Sequence, residues 1–396
     1  MEKYFDKIFE KVFDTREAEL WYKARHYVME ELSPIDRYKD EDKKEEIDGI
    51  SSGCSKHIHI IVDSIDEKMI AVVRQICLLV HYPNFNEETG CNRTIITFCL
   101  DSLPQNILLR IKGFGNLLNH CGCTIDGKER RIQINHNDYQ NDYLPLDIEF
   151  EFLKCKIDDI ESDKNEIRRE IEYNTVKESF DKYNPQKEGI DISKGMLVNM
   201  VYCTGATIDN LPACDNENVA RYSTALNVFC YNLKHEEIEK KWKESAKPKG
   251  DGSYKPLDIK NQLSSIFCAD CFESRLKGIL DTKKKTVYEY LFNDFETVMS
   301  KLCDQNTINT LVRCEHSRWN VERLIMGYSP LSKEELYDIE CCFGKERKNK
   351  IRNYKNNFKH IDICSSKNLQ RLNPADVKFD YFLMLAMPQI ILSSIR

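Results

Sequence analysis

Residues 57–81 read HIHIIVDSIDEKMIAVVRQICLLVH, and this stretch decides the fold class. Its first six residues form a short apolar run that is typical of a buried strand, and residues 67–81 carry apolar side chains at helical spacing. A strand, a turn and a helix in this order form half of the repeating unit of an α/β sheet. The order predicts that a parallel sheet begins at His57.

Further elements of the same kind follow along the chain. We predict strands at 93–100, 148–153 and 196–202, a helix at 103–118, and a polar, exposed helix at 161–183 without a strong apolar face. Strands that alternate with helices indicate a parallel sheet covered on both faces. Residues 53–210 are therefore predicted to form a Rossmann-like α/β domain.

Two regions of different character flank this unit. Residues 1–52 are predicted to be a helical appendage that ends in a solvated linker, because residues 39–48 are almost wholly charged. Residues 211–396 show helical periodicity without a strand signal, at 219–242, 259–280, 287–302, 307–326 and 376–392. Pro388 is expected to kink or stop the last of these helices. The predicted fold class is α/β plus α, a parallel sheet followed by a helical domain.

The first strand-to-helix turn, 63–67, has the sequence Asp-Ser-Ile-Asp-Glu and no glycine. Phosphate approaches such turns through glycines, and three carboxylates would repel a pyrophosphate, so the turn does not suit NAD. Asp63, Ser64 and Asp101, with Asp66, are candidates to contact a cation or ligand hydroxyls. Capping of the helix by Ser64 or Asp66 is the simpler interpretation.

A second candidate site lies on the predicted helix 307–326. At about 100° per residue, His316, Trp319 and Arg323 fall within an arc of roughly 60°, while Leu311 and Val321 belong to a different, apolar arc. An imidazole, an indole and a guanidinium on one stripe suit a flat ligand with phosphate groups. The alternative is that Trp319 packs against another helix, with His316 and Arg323 at its rim.

Composition limits the class of partner. Hydrophobic residues make up 41% and charged residues 31% of the chain, and the formal net charge is −7, so nucleic acid is not an expected partner. No apolar run is long enough to span or enter a membrane, which predicts a cytoplasmic protein. The 17 cysteines are scattered, and the pair Cys268 and Cys271 lacks the second pair of a zinc site. No metal or cofactor is expected.

The stripe belongs to a longer pattern. Glu315-His-Ser-Arg-Trp319, with Glu322-Arg323 and Gly327-Tyr328, resembles the signature helix and turn of ryanodine-receptor-type (RyR) domains, which also occur in bacterial proteins. Segments 267–276, 360–364 and 376–390 resemble other parts of that family, although Ile361 stands where a proline is usual. The likeness covers residues 215–396. The segment 57–100 is similar to the nucleotide-binding Rossmann domains that precede RyR modules in bacterial regulators, but without their glycine turn.

This resemblance implies a function. Bacterial RyR modules are thought to recognise nucleotide-derived signals, often in regulatory or anti-phage systems. By analogy we expect a non-catalytic sensor in which Trp319 stacks on a base, Arg318 and Arg323 meet phosphate, His316 orients the ligand and Tyr328 completes the site. The α/β unit would then serve as a scaffold or an oligomerising partner.

Two other classes stay open. An enzyme would process nucleotides at the carboxyl edge of the sheet with Asp63, Asp101 or Cys203, for which His235 and His316 are available as bases. A pure interaction module would bind another protein without a small ligand. No nucleophile is convincingly presented in the sequence, so the enzyme is less favoured.

Overall fold

The computed structural model describes residues 15–40, 45–102, 111–125, 128–129, 145–184, 194–195, 197–199, 201, 247–248, 254–255 and 259–394. In the first half of the chain the elements are α1 (Thr15–His26), a π-helical turn (Tyr27–Leu32), β1 (Arg37–Asp40), β2 (Glu45–Asp48), β3 (His57–Val62), α2 (Glu67–Cys77), β4 (Thr94–Cys99), β5 (Gly122–Ile125), β6 (Lys128–Glu129), β7 (Ile148–Leu153), β8 (Glu166–Ile171) and α3 (Tyr173–Lys182).

The second half is mainly helical. Its elements are β9 (Lys247–Pro248), β10 (Tyr254–Lys255), α4 (Ile259–Asp270), α5 (Phe272–Lys277), α6 (Val287–Asn293), α7 (Phe295–Leu302), α8 (Gln305–Ile325), β11 (Ser329–Pro330), α9 (Lys333–Glu340), α10 (Gly344–Asn356), β12 (Lys359–His360), α11 (Ser366–Leu372) and α12 (Pro374–Ser394). The class α/β plus α is therefore correct.

The central sheet has the order β6-β5-β7-β4-β3-β8, in which five strands are parallel and β6 is an antiparallel edge strand. β3 occupies an interior position and is buried along nearly its whole length, as its unbroken apolar sequence requires. Phe98, Phe114, Phe150 and Phe152 pack together on one side of the sheet. The Rossmann-like order confirms the prediction made from 57–81.

Two expectations for this unit were wrong. The predicted helix 161–183 contains the edge strand β8 and the shorter helix α3, which buries Val176 and Phe180. The described residues of the predicted strand 196–202 are helical, and the edge strand beside β3 is β8. Both errors have a local cause: the two apolar residues of β8, Ile167 and Ile171, are four apart, as in a helix, whereas 196–202 is apolar except for Asn199 and fits either element.

Smaller differences concern helices and the linker. The described residues of the predicted helix 103–118 form two 3-10 turns, Ile111–Phe114 and Leu117–Asn119. The described residues of the charged run, 39–40 and 45–48, belong to the antiparallel pair β1–β2. Pro388 does not stop α12, which continues to Ser394. The predicted helix 219–242 lies outside the described residues, and two short bridges, β9–β10 and β11–β12, are strands in a region for which none was expected.

The N-terminal segment is not an appendage. In α1, Trp21 and Tyr22 join the core of the helical region, while Ala24 joins the core beneath the sheet. Arg25 donates two hydrogen bonds to Asp270 of α4, Nε to Oδ2 at 2.8 Å and Nη2 to Oδ1 at 2.6 Å. Because α1 contributes to both cores, it ties the α/β unit to the helical unit.

Helix α8 makes a second link between the two units. Leu311 and Val312 near its middle belong to the helical core, and Val321 and Leu324 near its end belong to the core of the sheet. Asn116, from the turn between the two 3-10 helices, donates its backbone N–H to the carbonyl of Leu324 at 2.8 Å. The end of α8 is thus held against the sheet, directly beside the stripe singled out in the sequence.

Candidate functional site

The candidate site is formed by α8 and the chain that follows it. Asp304 caps the start of α8, its carboxylate accepting from the N–H of Thr307 at 2.8 Å. The helix ends at Ile325, and Gly327, two residues later, has a φ of +85°, the left-handed conformation that favours glycine after a helix end. β12 then pairs in parallel with β11, opposite residues being Pro330 and His360. This pairing brings His360 beside Tyr328.

Trp319, Arg323, Tyr328 and His360 form a patch of rings around one guanidinium, which we call the Trp319 patch. The Cζ atom of Arg323 lies 5.1 Å from the ring centre of Trp319 and 6.0 Å from that of Tyr328. His360 meets Trp319 edge-on, with ring centres 5.1 Å apart. Trp319 is half-buried, whereas the other three are at most 9% exposed. The patch therefore combines a partly open indole with a buried cation.

Arg323 is the unusual member of the patch. Its residue is 8% exposed, yet its guanidinium donates no hydrogen bond within the described part of the chain. Nε is buried without a partner, and the closest carboxylate oxygen, Oε1 of Glu322, lies 3.7 Å away and is likewise unsatisfied. A buried N–H without an acceptor is costly, and the cost is largest for charged groups.

The charges around Arg323 do not balance. Glu315 and Glu322 are each less than 3% exposed, and they face two other buried cations, Arg275 and Arg318. With Arg323, three cations meet two carboxylates. Burial raises the pKa of the nearby Asp380, with a further contribution from Glu315, which favours its neutral form. Glu322 is hydrogen-bonded to Arg318 and lies 3.7 Å from Nε of Arg323, so Arg323 has no carboxylate at hydrogen-bond distance, and such a cation favours an anion.

Arg318 cannot play the phosphate-binding role expected from the sequence. It is 1% exposed, its Nη1 donates to Oε2 of Glu322 at 2.6 Å, and its Nη2 donates to Oε1 of Glu315 at 2.8 Å. Ser264 of α4 also donates to Glu322, at 2.8 Å. The whole network of Arg318 and these two glutamates lies in the interior. Arg318 belongs to the core.

His316 is also occupied. Its Nε2 donates to the carbonyl of Cys364 at 2.8 Å, and the side-chain amide of Asn320 donates to the same oxygen at 2.8 Å. Burial lowers the pKa of His316 to about 4, so the imidazole is neutral at ordinary pH. His316 thus positions the chain after β12 and does not face a ligand with a free N–H. Asn320 gave no signal in the sequence because a single asparagine on a helix is unremarkable there.

Carboxyl groups line the other side of the patch. Asn373 donates from its amide to Asp362 at 3.0 Å and to Asp376 at 2.7 Å, which holds the two acids together. Burial, followed by the charge of Asp376, raises the pKa of Asp362 to about 7. The backbone N–H of Asp362 donates to Nδ1 of His360 at 3.3 Å, and burial lowers the pKa of His360 well below its usual value. None of these acids was singled out as a site residue in the sequence.

Replacing Asp362 by asparagine is expected to change how stability depends on pH. Since the folded-state pKa of Asp362 lies above its ordinary value of 3.8, the acid stabilises the fold below about pH 4 and this contribution is lost as pH rises through about 7. One such group contributes at most about 1.4 kcal/mol per pH unit. In urea unfolding between pH 4 and 8, the free energy of unfolding of Asp362→Asn should therefore increase relative to that of wild type as pH rises. A constant difference would contradict the assignment, and Asp158→Asn, an exposed-acid control, should not reproduce the gain.

The candidates at the first turn of the sheet have structural partners. Asp66 caps α2, accepting from the N–H of Met69 at 2.9 Å, which confirms the capping interpretation. Asp63 accepts from the N–H of Tyr173 at 2.8 Å and so supplies a carboxylate at the start of α3. Ser64 lies between them with its hydroxyl buried, and Asp101 is exposed beyond β4. The helix starts where a Rossmann domain would hold phosphate are thus occupied by the protein's own carboxylates.

The remaining candidates add little chemistry. Cys203 and His235 lie outside the described residues. Cys271 donates its thiol to the carbonyl of Leu78 at 3.1 Å, and burial raises its pKa to about 11. Burial likewise raises the pKa of Cys268. Among the described residues, no group of three His, Cys, Asp or Glu side chains is placed to hold a metal ion.

Two cavities lie away from the Trp319 patch. One of about 740 Å³ lies between α1 and the start of α2 and is lined by Glu19, Lys23, Asp66, Lys68 and Asp181, among others. A smaller one, of about 220 Å³, lies between α1 and α4 beside Arg25 and Asp270. Neither includes Trp319 or Arg323 in its lining.

Comparisons with known proteins assign no function to this chain. No protein-family model, no curated protein and no solved structure matches this chain. Within the described residues, every helix is too short or too polar to cross a membrane. The likeness to RyR domains is therefore a resemblance in sequence pattern alone. The geometry of the site is the evidence for function.

Proposed function

We propose that this protein is a non-catalytic, cytoplasmic regulator that binds a small, flat, anionic ligand of nucleotide type at the Trp319 patch. The observation that carries the proposal is Arg323, a buried cation with an unsatisfied Nε–H, whose guanidinium lies beside the rings of Trp319 and Tyr328. A phosphate would supply the acceptor and the charge, and the half-buried indole would supply a stacking surface. The RyR resemblance points to the same ligand class.

The neighbouring groups are compatible with an anion. The raised pKa values of Asp362 and Asp380 favour their neutral forms, which reduces repulsion of a phosphate. His360 contributes a neutral ring with its Nδ1 already accepting a hydrogen bond. His316 and Arg318 act only by holding α8 and the following chain in place. The α/β unit serves as a scaffold in this proposal, because Asp63 and Asp66 occupy the helix starts at its sheet edge.

Removing either main contact should abolish most of the binding. Isothermal titration calorimetry with a panel of cyclic and linear nucleotides would identify the best ligand of the wild type. Arg323→Gln should then weaken its affinity by at least about tenfold, because a charge-assisted hydrogen bond contributes about 1.5–3 kcal/mol. Trp319→Ala should weaken it to a similar extent through the lost stacking.

The matched control is Lys285→Gln. Lys285 also lies over an aromatic ring, with Nζ 5.2 Å from the ring centre of Tyr290, but it precedes α6 and forms an ion pair with Asp294 at 2.8 Å. Its replacement should leave affinity unchanged. The proposal is wrong if no nucleotide binds, or if Arg323→Gln binds as tightly as wild type. Turnover of the bound nucleotide would instead indicate an enzyme, and a stoichiometric co-purifying protein with no nucleotide binding would indicate an interaction module.

A further inference from the structure

Helix α10 carries a row of cations on its exposed side. Lys345, Lys348, Arg352 and Lys355 are all exposed, and at about 100° per residue they fall within an arc of roughly 80°. We call this row the basic stripe. At about 1.5 Å per residue it extends for roughly 15 Å along the helix axis.

The cations of the stripe differ from those on the inner side of the same helix. There, Lys350 forms an ion pair with Asp338, and Arg347 donates to the carbonyl of Leu372 at 2.8 Å. No carboxylate in the described part of the chain lies within ion-pair distance of the four stripe residues; Arg352 only donates to the amide oxygen of Asn349, at 3.2 Å. The stripe therefore presents uncompensated positive charge to solvent.

Local charge departs from the charge of the whole chain. Residues 329–373 hold ten Lys and Arg against six Asp and Glu, whereas the full sequence has 58 against 65. The net charge of −7, which spoke against nucleic acid, thus hides a positive surface on the segment that follows the Trp319 patch. A local field of this kind attracts polyanions even when the whole molecule is acidic.

The residues on the exposed side of α10 indicate which kind of polyanion the helix would bind. Beside the stripe lie Asn349, Asn353 and Asn356, all exposed, while Ile351 and Tyr354 pack inward against the small core of α9 and α11. A helix that binds a membrane surface needs an apolar face to bury among lipids, and α10 has none on its exposed side. Lysine, arginine and asparagine are instead the residues that contact phosphate and sugar in nucleic acids.

Aromatic rings at both ends of α10 favour single-stranded over double-stranded nucleic acid. Phe343, directly before α10, is 81% exposed, and Phe358, shortly after it, is 52% exposed. Exposed rings beside a basic track are the surfaces on which unpaired bases stack. We propose that the basic stripe binds the phosphodiester backbone of single-stranded nucleic acid, with the exposed faces of Phe343 and Phe358 as stacking surfaces for the bases. The ring of Phe358 also contacts that of Tyr328, with ring centres 5.3 Å apart.

Fluorescence anisotropy with labelled 20-nucleotide single-stranded RNA, single-stranded DNA and a DNA duplex tests this inference. Wild type should bind the single strands more tightly than the duplex, and log Kd should depend on log salt with a slope magnitude of about 3, as four phosphate contacts predict. Lys348→Glu/Arg352→Glu should weaken binding at least about tenfold and lower the slope magnitude to about 1.4. The RNA and DNA arms identify the sugar that is preferred.

The control makes the same change in charge on another surface. Lys154 and Lys177 are exposed residues of the α/β unit, and Lys154→Glu/Lys177→Glu should leave single-strand affinity within about twofold. Thermal melting should show that both double variants are folded. The inference is overturned if wild type binds no single strand, if the duplex is preferred, or if the control variant loses as much affinity as the stripe variant. Binding to phosphatidylserine vesicles without binding to either single strand would also overturn it.

Discussion

Arg318→Ala is expected to destabilise the protein by about 3–5 kcal/mol, because it leaves two buried carboxylates without their shared cation. Arg318 lies between Glu315 and Glu322, which are each at most 2% exposed. Although burial alone would raise the pKa of Glu315, Arg318 and Arg275 lower it to about 2. Urea unfolding at pH 7 measures the loss, and a change of less than about 1 kcal/mol would contradict the role given to this ion pair network.

Two further variants separate charge from packing in this prediction. Arg318→Ala/Glu322→Gln should recover part of the lost stability, since Glu315 still has Arg275 at 2.7 Å and the second uncompensated charge is gone. Arg352→Ala, the same change at an exposed position, should stay within about 0.5 kcal/mol of wild type. If the double variant is no more stable than Arg318→Ala, lost side-chain packing is the cause.

The same network predicts a pH dependence. The pKa of Glu315 is lowered from 4.5 to about 2, so its ion pairs stabilise the fold above pH 4.5 and this contribution is lost as pH falls toward 2. The difference in stability between wild type and Arg318→Ala should therefore shrink across that range. A difference that grows on acidification would contradict the assignment.

Gly115→Ala is expected to cost about 3 kcal/mol or more, because it combines backbone strain with a steric clash. Gly115 has a φ of +56°, and a Cβ there would overlap the carbonyl oxygens of Leu324, at 2.6 Å, and Ile325. These carbonyls end α8, and Asn116 next to Gly115 donates its amide to the carbonyls of Gly327 and Tyr328 at 2.8 and 3.0 Å. The clash should separate the sheet from the Trp319 patch, which thermal melting and nucleotide affinity would both report.

Two other glycines act as controls for this effect. Gly327 has a φ of +85° but open space around its Cα, so Gly327→Ala should show only the conformational cost, about 1 kcal/mol. Gly53 has neither a positive φ nor a neighbour within 4 Å, and Gly53→Ala should be close to neutral. If Gly115→Ala is no worse than Gly327→Ala, the close approach to α8 does not contribute.

The sequence by itself determined the class of the fold. The apolar run 57–62 and the strand at 94–99 were predictable because burial on both faces of a parallel sheet requires largely apolar residues. The strand at 148–153 was predictable because its apolar and acidic residues alternate, and the helix after 57–62 because it is amphipathic. The stripe of His316, Trp319 and Arg323 was visible for a similar reason, since the 3.6-residue period fixes which side chains share a face. Helical caps such as Asp66 were also readable from local sequence.

Only the tertiary structure decided what those side chains do. Periodicity placed His316 and Arg323 on one stripe. In the fold, His316 donates to the carbonyl of Cys364, whereas Nε of Arg323 has no hydrogen-bond acceptor, since Glu322 lies too far away. Arg318 was assigned to a ligand because a sequence does not show that Glu315, Glu322 and Arg275 enclose it. Local sequence sets the face on which a side chain lies, whereas its hydrogen-bond partners and its dielectric surroundings come from segments distant in the chain, and these determine its charge and its availability.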